Sequence, residues 1–305
     1  MKPVRPGDLT PAKPPEARMT RRSLLLGGTG IAALSVGGLA AYSGAEAATA
    51  LLVTRYKLSP RGWPAGRRLS ITVLADIHAG GPNMGIERIR NVVDSANALR
   101  SDIILLLGDF VATHRFVTEH VPGPVWAAEL ARLSASLGVH SILGNHDWWF
   151  HQAEIRASLK AVKIPVMENQ ALLLGPQGAR FWLAGLGDQL AYPQPGGGFR
   201  GIDNLPGTLS QVSTDDPVIL MVHEPDIFTQ VPDRVSLTLA GHTHGGQLRL
   251  PLVWPALVPS EYGARFAYGH VREGGRDLIV SGGLGTSIVP LRLGVPPEIL
   301  RIELG

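Results

Sequence analysis

No cysteine occurs among the 305 residues of the chain. This absence excludes disulfide bonds, thiolate nucleophiles, iron–sulfur clusters and the lipid-modified cysteine of lipoproteins. A bound metal ion would therefore have to be held by His, Asp, Glu or Asn side chains. The absence does not identify the redox compartment, because a domain of this size folds without cross-links.

Basic residues are also scarce in the body of the chain. Residues 1–68 carry 11 Lys and Arg against 3 Asp and Glu, whereas residues 69–305 carry 17 against 22, a net charge of −5. This distribution predicts no basic surface for a nucleic-acid backbone, so we expect no nucleic acid among the partners. A small or lipid-linked phosphate needs only a local site. Apolar residues make up 45% of the sequence, enough for the core of one large domain.

The first part of the chain has the composition of an export signal. Arg21 and Arg22 precede an uncharged stretch, Leu24–Tyr42, that is rich in Gly and Ala and resembles a twin-arginine signal. The small residues Ala45-Glu46-Ala47 offer a cleavage site, and without cleavage the stretch is long enough for a membrane anchor. In both cases the basic residues come first, so the positive-inside rule places the rest of the chain outside the cytoplasmic membrane.

Apolar runs alternate with helical patterns after residue 68. The runs Leu69–Ala75, Ile103–Leu107 and Val139–Leu143 predict strands, and Glu87–Leu99 and Trp126–Leu137 have helical spacing. Each apolar run leads into a short polar cluster. This βαβαβ pattern predicts a parallel sheet with the polar clusters together at the carboxyl edge of its strands.

The second half is richer in predicted strands. They cover Phe181–Leu186, Val218–Val222, Ser236–Ala240, Leu248–Leu250, Leu278–Val280 and Glu298–Ile302. His223 directly follows one of these runs, and Gly241-His242-Thr243-His244 follows another. Two imidazoles that lie two residues apart at a strand end can face one cavity.

Taken singly, these clusters have ordinary explanations. Asp76 and His78 after a strand are compatible with a turn or a cap, Gly108-Asp109 is a common turn, and His223 alone is compatible with a buried, hydrogen-bonded imidazole. Their order is more specific than any member. Asp76-x-His78, Gly108-Asp109, Gly144-Asn145-His146-Asp147, His223 and Gly241-His242-x-His244 each end a predicted strand.

This ordered set resembles the calcineurin-like metallophosphoesterase superfamily over about residues 70–245. The segments Gly241–Pro251 and Ser281–Leu304 are similar to the subgroup that includes the YaeI and YkuE phosphodiesterases. The resemblance implies an α/β fold, a four-layer α/β/β/α sandwich with two mixed sheets, and a dinuclear metal site at the carboxyl edge of the strands. It also implies a metal-dependent phosphoric ester hydrolase.

Carried over to this sequence, the family pattern gives two metal sites. Asp76, His78, Asp109 and His244 would hold the first cation, and Asp109, Asn145, His223 and His242 the second. Mixed imidazole and carboxylate ligands suit Mn²⁺, Fe²⁺, Zn²⁺ or Co²⁺ better than Ca²⁺ or Mg²⁺. Asp109 would bridge the pair.

The implied reaction is attack on phosphorus by a metal-bridging hydroxide. His146 is similar to the family's non-ligand histidine, which stabilises the transition state or protonates the leaving oxygen. Asp147 would orient His146, or alternatively cap a helix. We expect a phosphoester substrate, diester or monoester, with lipid- or wall-linked phosphates as candidates, and the twin-arginine export machinery as a partner.

Two well-known subfamilies fit poorly. Protein Ser/Thr phosphatases would need Asp and Arg where this chain has Ala112 and Thr113, and purple acid phosphatases would need Tyr at Ala112. His114 or Arg115 would then take over the grip on phosphate. The alternatives are a UDP-2,3-diacylglucosamine-type pyrophosphatase and a non-catalytic binding module on the same fold.

The sequence therefore divides into three predicted parts. Residues 1–47 form the basic segment and the twin-arginine-type signal or anchor, residues 48–68 form a short connecting segment, and residues 69–305 form a single metallophosphoesterase domain.

Overall fold

The computed structural model describes residues 37–250 and 254–305. Arg21, Arg22 and most of the uncharged stretch lie outside the described residues. Met1–Ala41 and Tyr42–Gly305 form separate units, and the described part of the first, residues 37–41, is helical. Within the described parts of the chain, no helix is both long and apolar enough to cross a membrane.

Helices alternate with strands in the first half of the chain, and strands dominate the second half. The helices are α1 (37–49), α2 (Ile86–Ala98), α3 (Gly123–Leu130), α4 (Asn145–Trp149), α5 (Gln152–Ala161) and α6 (Leu205–Leu209). The strands are β1 (Leu52–Leu58), β2 (Leu69–Leu74), β3 (Ile103–Leu107), β4 (Val139–Ile142), β5 (Gln170–Leu174), β6 (Phe181–Gly185), β7 (Tyr192–Pro193), β8 (Phe199–Arg200), β9 (Val218–Met221), β10 (Val235–Ala240), β11 (Gly269–Glu273), β12 (Arg276–Val280) and β13 (Glu298–Leu304).

The first sheet has the strand order β1-β13-β2-β3-β4. β2, β3 and β4 run parallel, as the βαβαβ pattern predicts. β13 returns from the end of the chain to pair antiparallel with β2 and parallel with β1. β3 is buried along its whole length, in agreement with its uninterrupted apolar sequence.

The second sheet has the order β11-β12-β10-β9-β6-β5. Its four inner strands are parallel, and β5 and β11 pair antiparallel at its edges. Apolar side chains of both sheets, such as Ile71 and Leu105 of the first and Leu183 and Leu237 of the second, share one core cluster. The two sheets therefore pack face to face, and the predicted α/β fold with two mixed sheets is confirmed.

The outer faces of the sheets carry the helical layers. Ile89 and Val93 from the apolar stripe of α2 pack with Leu106 on the first sheet. On the second sheet, Leu220 packs with Leu205 of α6 and with Phe228, which belongs to the 3₁₀ turn Pro225–Gln230. The second outer layer thus consists of short helical segments.

Several local elements differ from the sequence prediction. Residues 48–68, predicted as a connection, contain β1, which pairs over Leu52–Leu58 with β13. Leu248–Leu250 is not a strand and forms only a bridge from Leu248 to Leu293. Helix α5 and strands β5, β7, β8 and β11 arise where no element was predicted.

The helix predicted over Trp126–Leu137 ends at Leu130. The side chain of Asn97, on the neighbouring α2, donates to the carbonyl of Arg132 at 2.8 Å and accepts from the amide of Ser134 at 3.0 Å. These tertiary hydrogen bonds take up backbone groups that a longer helix would have used.

Candidate metal centre

The predicted ligands meet where strands of both sheets end. The loops after β2 and β3 carry Asp76, His78 and Asp109, and Asn145 begins α4 just after β4. The loops after β9 and β10 carry His223, His242 and His244. All of these side chains except that of His242, which is half-buried, are buried. Two packed sheets thus place seven predicted ligands around one centre.

The backbone at this centre is unusual. Asp76, His78, Asp109, His242 and His244 all have positive φ, between 46° and 70°. They make up five of the nine non-glycine residues with positive φ in the described chain. This left-handed conformation is costly for residues with a Cβ, and such strain is concentrated at functional sites.

Two glycines allow the loops to approach one another. A Cβ on Gly108, where φ is +88°, would lie 2.4 Å from the backbone nitrogen of Gly144. A Cβ on Gly144 would lie 2.4 Å from Asp109 Oδ1 and 2.5 Å from His223 Cε1. Both positions therefore require glycine because side chains would separate the ligands.

One cluster consists of Asp76, His78 and His244. The Nε2 atoms of His78 and His244 are 3.1 Å apart, and His244 Nε2 lies 3.8 Å from Asp76 Oδ1. Asp76 Oδ1 accepts a hydrogen bond from the amide of His242. Its other oxygen, Oδ2, is buried and has no hydrogen-bond partner among the described residues.

Asp109 lies between this cluster and the remaining ligands. Its Oδ2 is 3.5 Å from His78 Nε2 and 3.3 Å from His223 Nε2. Burial alone would raise the pKa of Asp109, but the neighbouring His223 and His146 hold it well below its usual range. The carboxylate is therefore charged and central, the position predicted for a bridging ligand.

The second cluster is centred on the side-chain oxygen of Asn145. This atom lies 3.1 Å from His223 Nε2 and 2.9 Å from His242 Nδ1. His223 Nδ1 donates to the carbonyl of Leu107 at 2.7 Å, which fixes the ring with Nε2 toward Asn145 and Asp109. Burial lowers the pKa of His223, but the carboxylates of Asp109, Glu224 and Asp76 together raise it well above the ordinary value.

These residues fit two divalent cations. Carboxylate oxygens, an amide oxygen and imidazole nitrogens, all electron-pair donors, converge in a buried space, and Asp76 Oδ2 lacks a proton donor. Burial raises the pKa of Asp76 to about 7 and lowers the pKa of His78 to about 3, because water cannot solvate their charged forms. A cation bound among them would compensate the carboxylates without charging the histidines.

The sequence model of the family described as Calcineurin-like phosphoesterase matches residues 69–246. The chain belongs to this family. Together with the buried His/Asp clusters, membership identifies the protein as a metal-dependent phosphoesterase. The fold and reaction class implied by the sequence resemblance are thereby confirmed.

The sequences of similar proteins align with most of this phosphoesterase. The "Uncharacterized metallophosphoesterase YkuE" of Bacillus subtilis is 31% identical over 94% of this chain and 98% of its own length. "Phosphodiesterase YaeI" of Escherichia coli is 30% identical over 77% of this chain and 81% of its own. A solved 5'-nucleotidase precursor from Thermus thermophilus aligns with a TM-score of 0.46 and 15% identity over 76% of this chain, which spans 54% of that protein.

His146 lies beside the predicted metal ligands of the phosphoesterase. Its ring is 4.9 Å from the ring of His78, and its backbone amide donates to Asp109 Oδ1 at 2.9 Å. Its Nδ1 is hydrogen-bonded to the hydroxyl of Thr113, and its Nε2 lies 3.2 Å from Ser287 Oγ. Burial lowers the pKa of His146, so the ring is neutral near pH 7.

Asp147 has a different position from the predicted orienting role. One carboxylate oxygen accepts the amides of Asp109 at 2.8 Å and Gly144 at 3.0 Å, and the other accepts that of Phe110 at 2.8 Å. The carboxylate thus caps α4 and ties the loop after β3 to the loop after β4. This matches the helix-cap alternative, and the contacts that orient His146 come from Thr113 and Ser287.

Sequence reasoning missed several residues around the centre. Glu224 groups with His223 and His242 at ligand distance, and its Oε1 is buried without a partner among the described residues. Burial and the neighbouring Glu224 raise the pKa of Asp188 well above its usual range. Gly187-Asp188 follows a strand as Gly108-Asp109 does, and this pattern was a signal by which Asp188 could have been found. No local pattern distinguished Ser287.

Proposed function

We propose that this phosphoesterase acts outside the cytoplasmic membrane and hydrolyses phosphodiester or phosphomonoester bonds of lipid- or wall-linked phosphates. The observation that carries the catalytic part is the position of His146, fixed at both ring nitrogens beside two clusters of metal ligands. The name of the similar YaeI, a phosphodiesterase, supports the diester as a substrate class.

Asp76, His78, Asp109 and His244 would hold one cation, and Asp109, Asn145, His223 and His242 the other. The donor set suits Mn²⁺, Fe²⁺, Zn²⁺ or Co²⁺. When bound, the cations lower the pKa of water and neutralise charge on the phosphoryl oxygens.

His146 would handle the proton of the leaving group. Where the Thr113 hydroxyl donates to Nδ1, the neutral ring carries its proton at Nε2, the atom beside Ser287. The proton is then available to a phosphoryl or leaving-group oxygen. No side-chain nucleophile is required.

The export part of the proposal derives from the sequence. Arg21 and Arg22 before an uncharged stretch resemble a twin-arginine signal, and the basic residues before that stretch favour an external body. Nucleotide-sugar lipids are made on the inner face, so an external body disfavours the UDP-2,3-diacylglucosamine pyrophosphatase alternative. Protease digestion of the body in spheroplasts is expected, and its protection would revive that alternative.

The catalytic part is tested with bis-p-nitrophenyl phosphate and p-nitrophenyl phosphate in the presence of each candidate cation. We expect Asp109→Ala to lower turnover more than about 100-fold, since even substitutions outside the ligand shell cost 10–100-fold. The matched control is Asp94→Ala, because Asp94 lies on α2, is exposed and pairs with Arg132. Undiminished turnover in the Asp109 variant would exclude the mechanism.

A further inference from the structure

Large apolar side chains are exposed beside the metal centre. We define the aromatic rim as Trp149, Phe150, Tyr192, Phe199 and Ile288, all of which are exposed. Phe199 is 46% exposed and Ile288 67%. Single exposed apolar residues need no explanation, but a group around one site marks a surface that contacts something.

The rim adjoins His146. The ring of Trp149 is 5.1 Å from that of His146 and stacks on that of Phe199 at 5.2 Å. Ile288 follows Ser287, whose hydroxyl contacts His146 Nε2. The rim side chains therefore come from α4 and the residue that follows it, from the β7–β8 hairpin and from the loop after β12.

Hydrogen bonds hold Trp149 and the β7–β8 hairpin of the rim in place. The indole N–H of Trp149 donates to the carbonyl of Leu190 at 2.8 Å, so the polar atom of this side chain is satisfied within the protein. Tyr192 and Phe199 lie on paired strands, with Tyr192 opposite Arg200 and Pro193 opposite Phe199. Trp149, Tyr192 and Phe199 thus present apolar ring surface on a fixed framework.

Positive charges accompany the exposed rings. The guanidinium of Arg200 lies 4.9 Å from the ring centre of Tyr192, and that of Arg115 lies 5.0 Å from the ring of Phe116, which is also exposed. Among the described residues, neither arginine forms an ion pair. Residues 69–305 carry a net charge of −5, so the positive charge of these two arginines is opposite in sign to the net charge of the body.

We propose that the aromatic rim docks on a bilayer containing anionic phospholipids, with Arg115 and Arg200 facing the headgroups. Trp, Tyr and Phe rings combined with arginine suit the boundary between headgroups and acyl chains. The positive charges of the two arginine side chains complement an anionic surface. The docked enzyme would hydrolyse phosphoesters of lipids in that surface, an inference that rests on the proposed function.

The absence of cysteine allows a direct test with the full chain. Ile288→Cys, labelled with an environment-sensitive fluorophore, reports contact of the rim with lipid. Leu172→Cys is the matched control, because Leu172 is an apolar residue on β5 that is 43% exposed. We expect a blue shift at position 288 with phosphatidylglycerol vesicles, a weaker one with phosphatidylcholine vesicles, and none at position 172.

Arg200→Ala in the labelled chain separates charge from apolar contact. The lipid concentration at half-maximal shift should rise about fivefold with phosphatidylglycerol and stay unchanged with phosphatidylcholine, since one arginine near an anionic surface contributes about that factor. Hydrolysis of soluble bis-p-nitrophenyl phosphate by Arg200→Ala should equal that of the parent chain.

Three results would overturn the docking proposal: no shift with any vesicle, an equal shift at position 172, or a shift that depends on protein concentration without lipid. The last would indicate contact between copies of the chain. Hydrolysis of the soluble ester without a vesicle response refutes docking alone, whereas a vesicle response without hydrolysis of any ester refutes the proposed function.

Discussion

The guanidinium of Arg292 donates a hydrogen bond to Nδ1 of His244 at 3.1 Å from a fully buried position. Its remaining N–H groups donate to the carbonyls of Gly282, Gly285 and Val295. Arginine only donates, so the proton of a neutral His244 ring lies on Nε2. This atom faces His78 Nε2 at 3.1 Å, so Arg292 fixes the orientation of the His244 ring toward the first cluster.

Arg292→Lys should weaken metal binding 10–100-fold, because lysine cannot reproduce the planar fork that reaches His244 and three carbonyls. Metal titration by calorimetry measures the effect. Arg276→Lys is the matched control, because Arg276 also donates to two carbonyls, those of Phe228 and Val231, away from the predicted ligands. Unchanged affinity in a folded Arg292 variant would contradict a role in placing His244.

Thr113→Val should lower kcat about 10–100-fold without changing metal content, because valine keeps the shape but removes the hydroxyl that fixes His146 Nδ1. Steady-state hydrolysis of bis-p-nitrophenyl phosphate and metal analysis of the same sample measure the two quantities. Loss of metal from this variant would show that Thr113 supports the ligands instead. Thr229→Val, on the 3₁₀ turn after β9, is the control for the substitution itself.

Asp147→Asn should act mainly on stability. Its two carboxylate oxygens accept three backbone amides, and an asparagine offers one acceptor oxygen and turns an N–H₂ group toward a donor. We expect the free energy of unfolding to fall by about 2–3 kcal/mol, measured by urea denaturation. An unchanged unfolding free energy together with a shifted pH profile of kcat would instead favour the role of orienting His146.

His140→Gln should flatten the pH dependence of stability. Burial lowers the pKa of His140, whose Nε2 contacts the carbonyl of Leu137 at 2.9 Å. Below the unfolded-state pKa of about 6.5, the unfolded chain binds a proton that the folded chain does not, so stability falls as the pH decreases toward the folded-state pKa.

Unfolding curves at pH 7.5 and pH 5.5 measure this difference. Between these two pH values, the free energy of unfolding should fall less in the variant than in the parent chain. The difference should not exceed the contribution of one additional proton bound by the unfolded state. Equal losses in both proteins would show that His140 does not contribute to the acid sensitivity.

The sequence alone determined the parallel strands β2, β3 and β4 of the first sheet and the side chains that follow their carboxyl ends. β3 was predicted with both ends correct, because a strand buried on both faces is an uninterrupted apolar run. Asp76, Asp109 and His223 were identifiable because each follows a predicted strand in an order that resembles the phosphoesterase family, and the carboxyl ends of parallel strands share an edge. These features depend on local pattern, which the sequence displays directly.

The tertiary structure decided which residues support that centre. Ser287 and Arg292 reach His146 and His244 from 141 and 48 residues away, and β1 exists only because β13 pairs with it from the end of the chain. Asp147 received its role from amides on two loops, and Trp149 and Phe199 became neighbours through the β7–β8 hairpin. Such contacts are set by how the two sheets pack, and no local pattern encodes which distant side chain fills a given position.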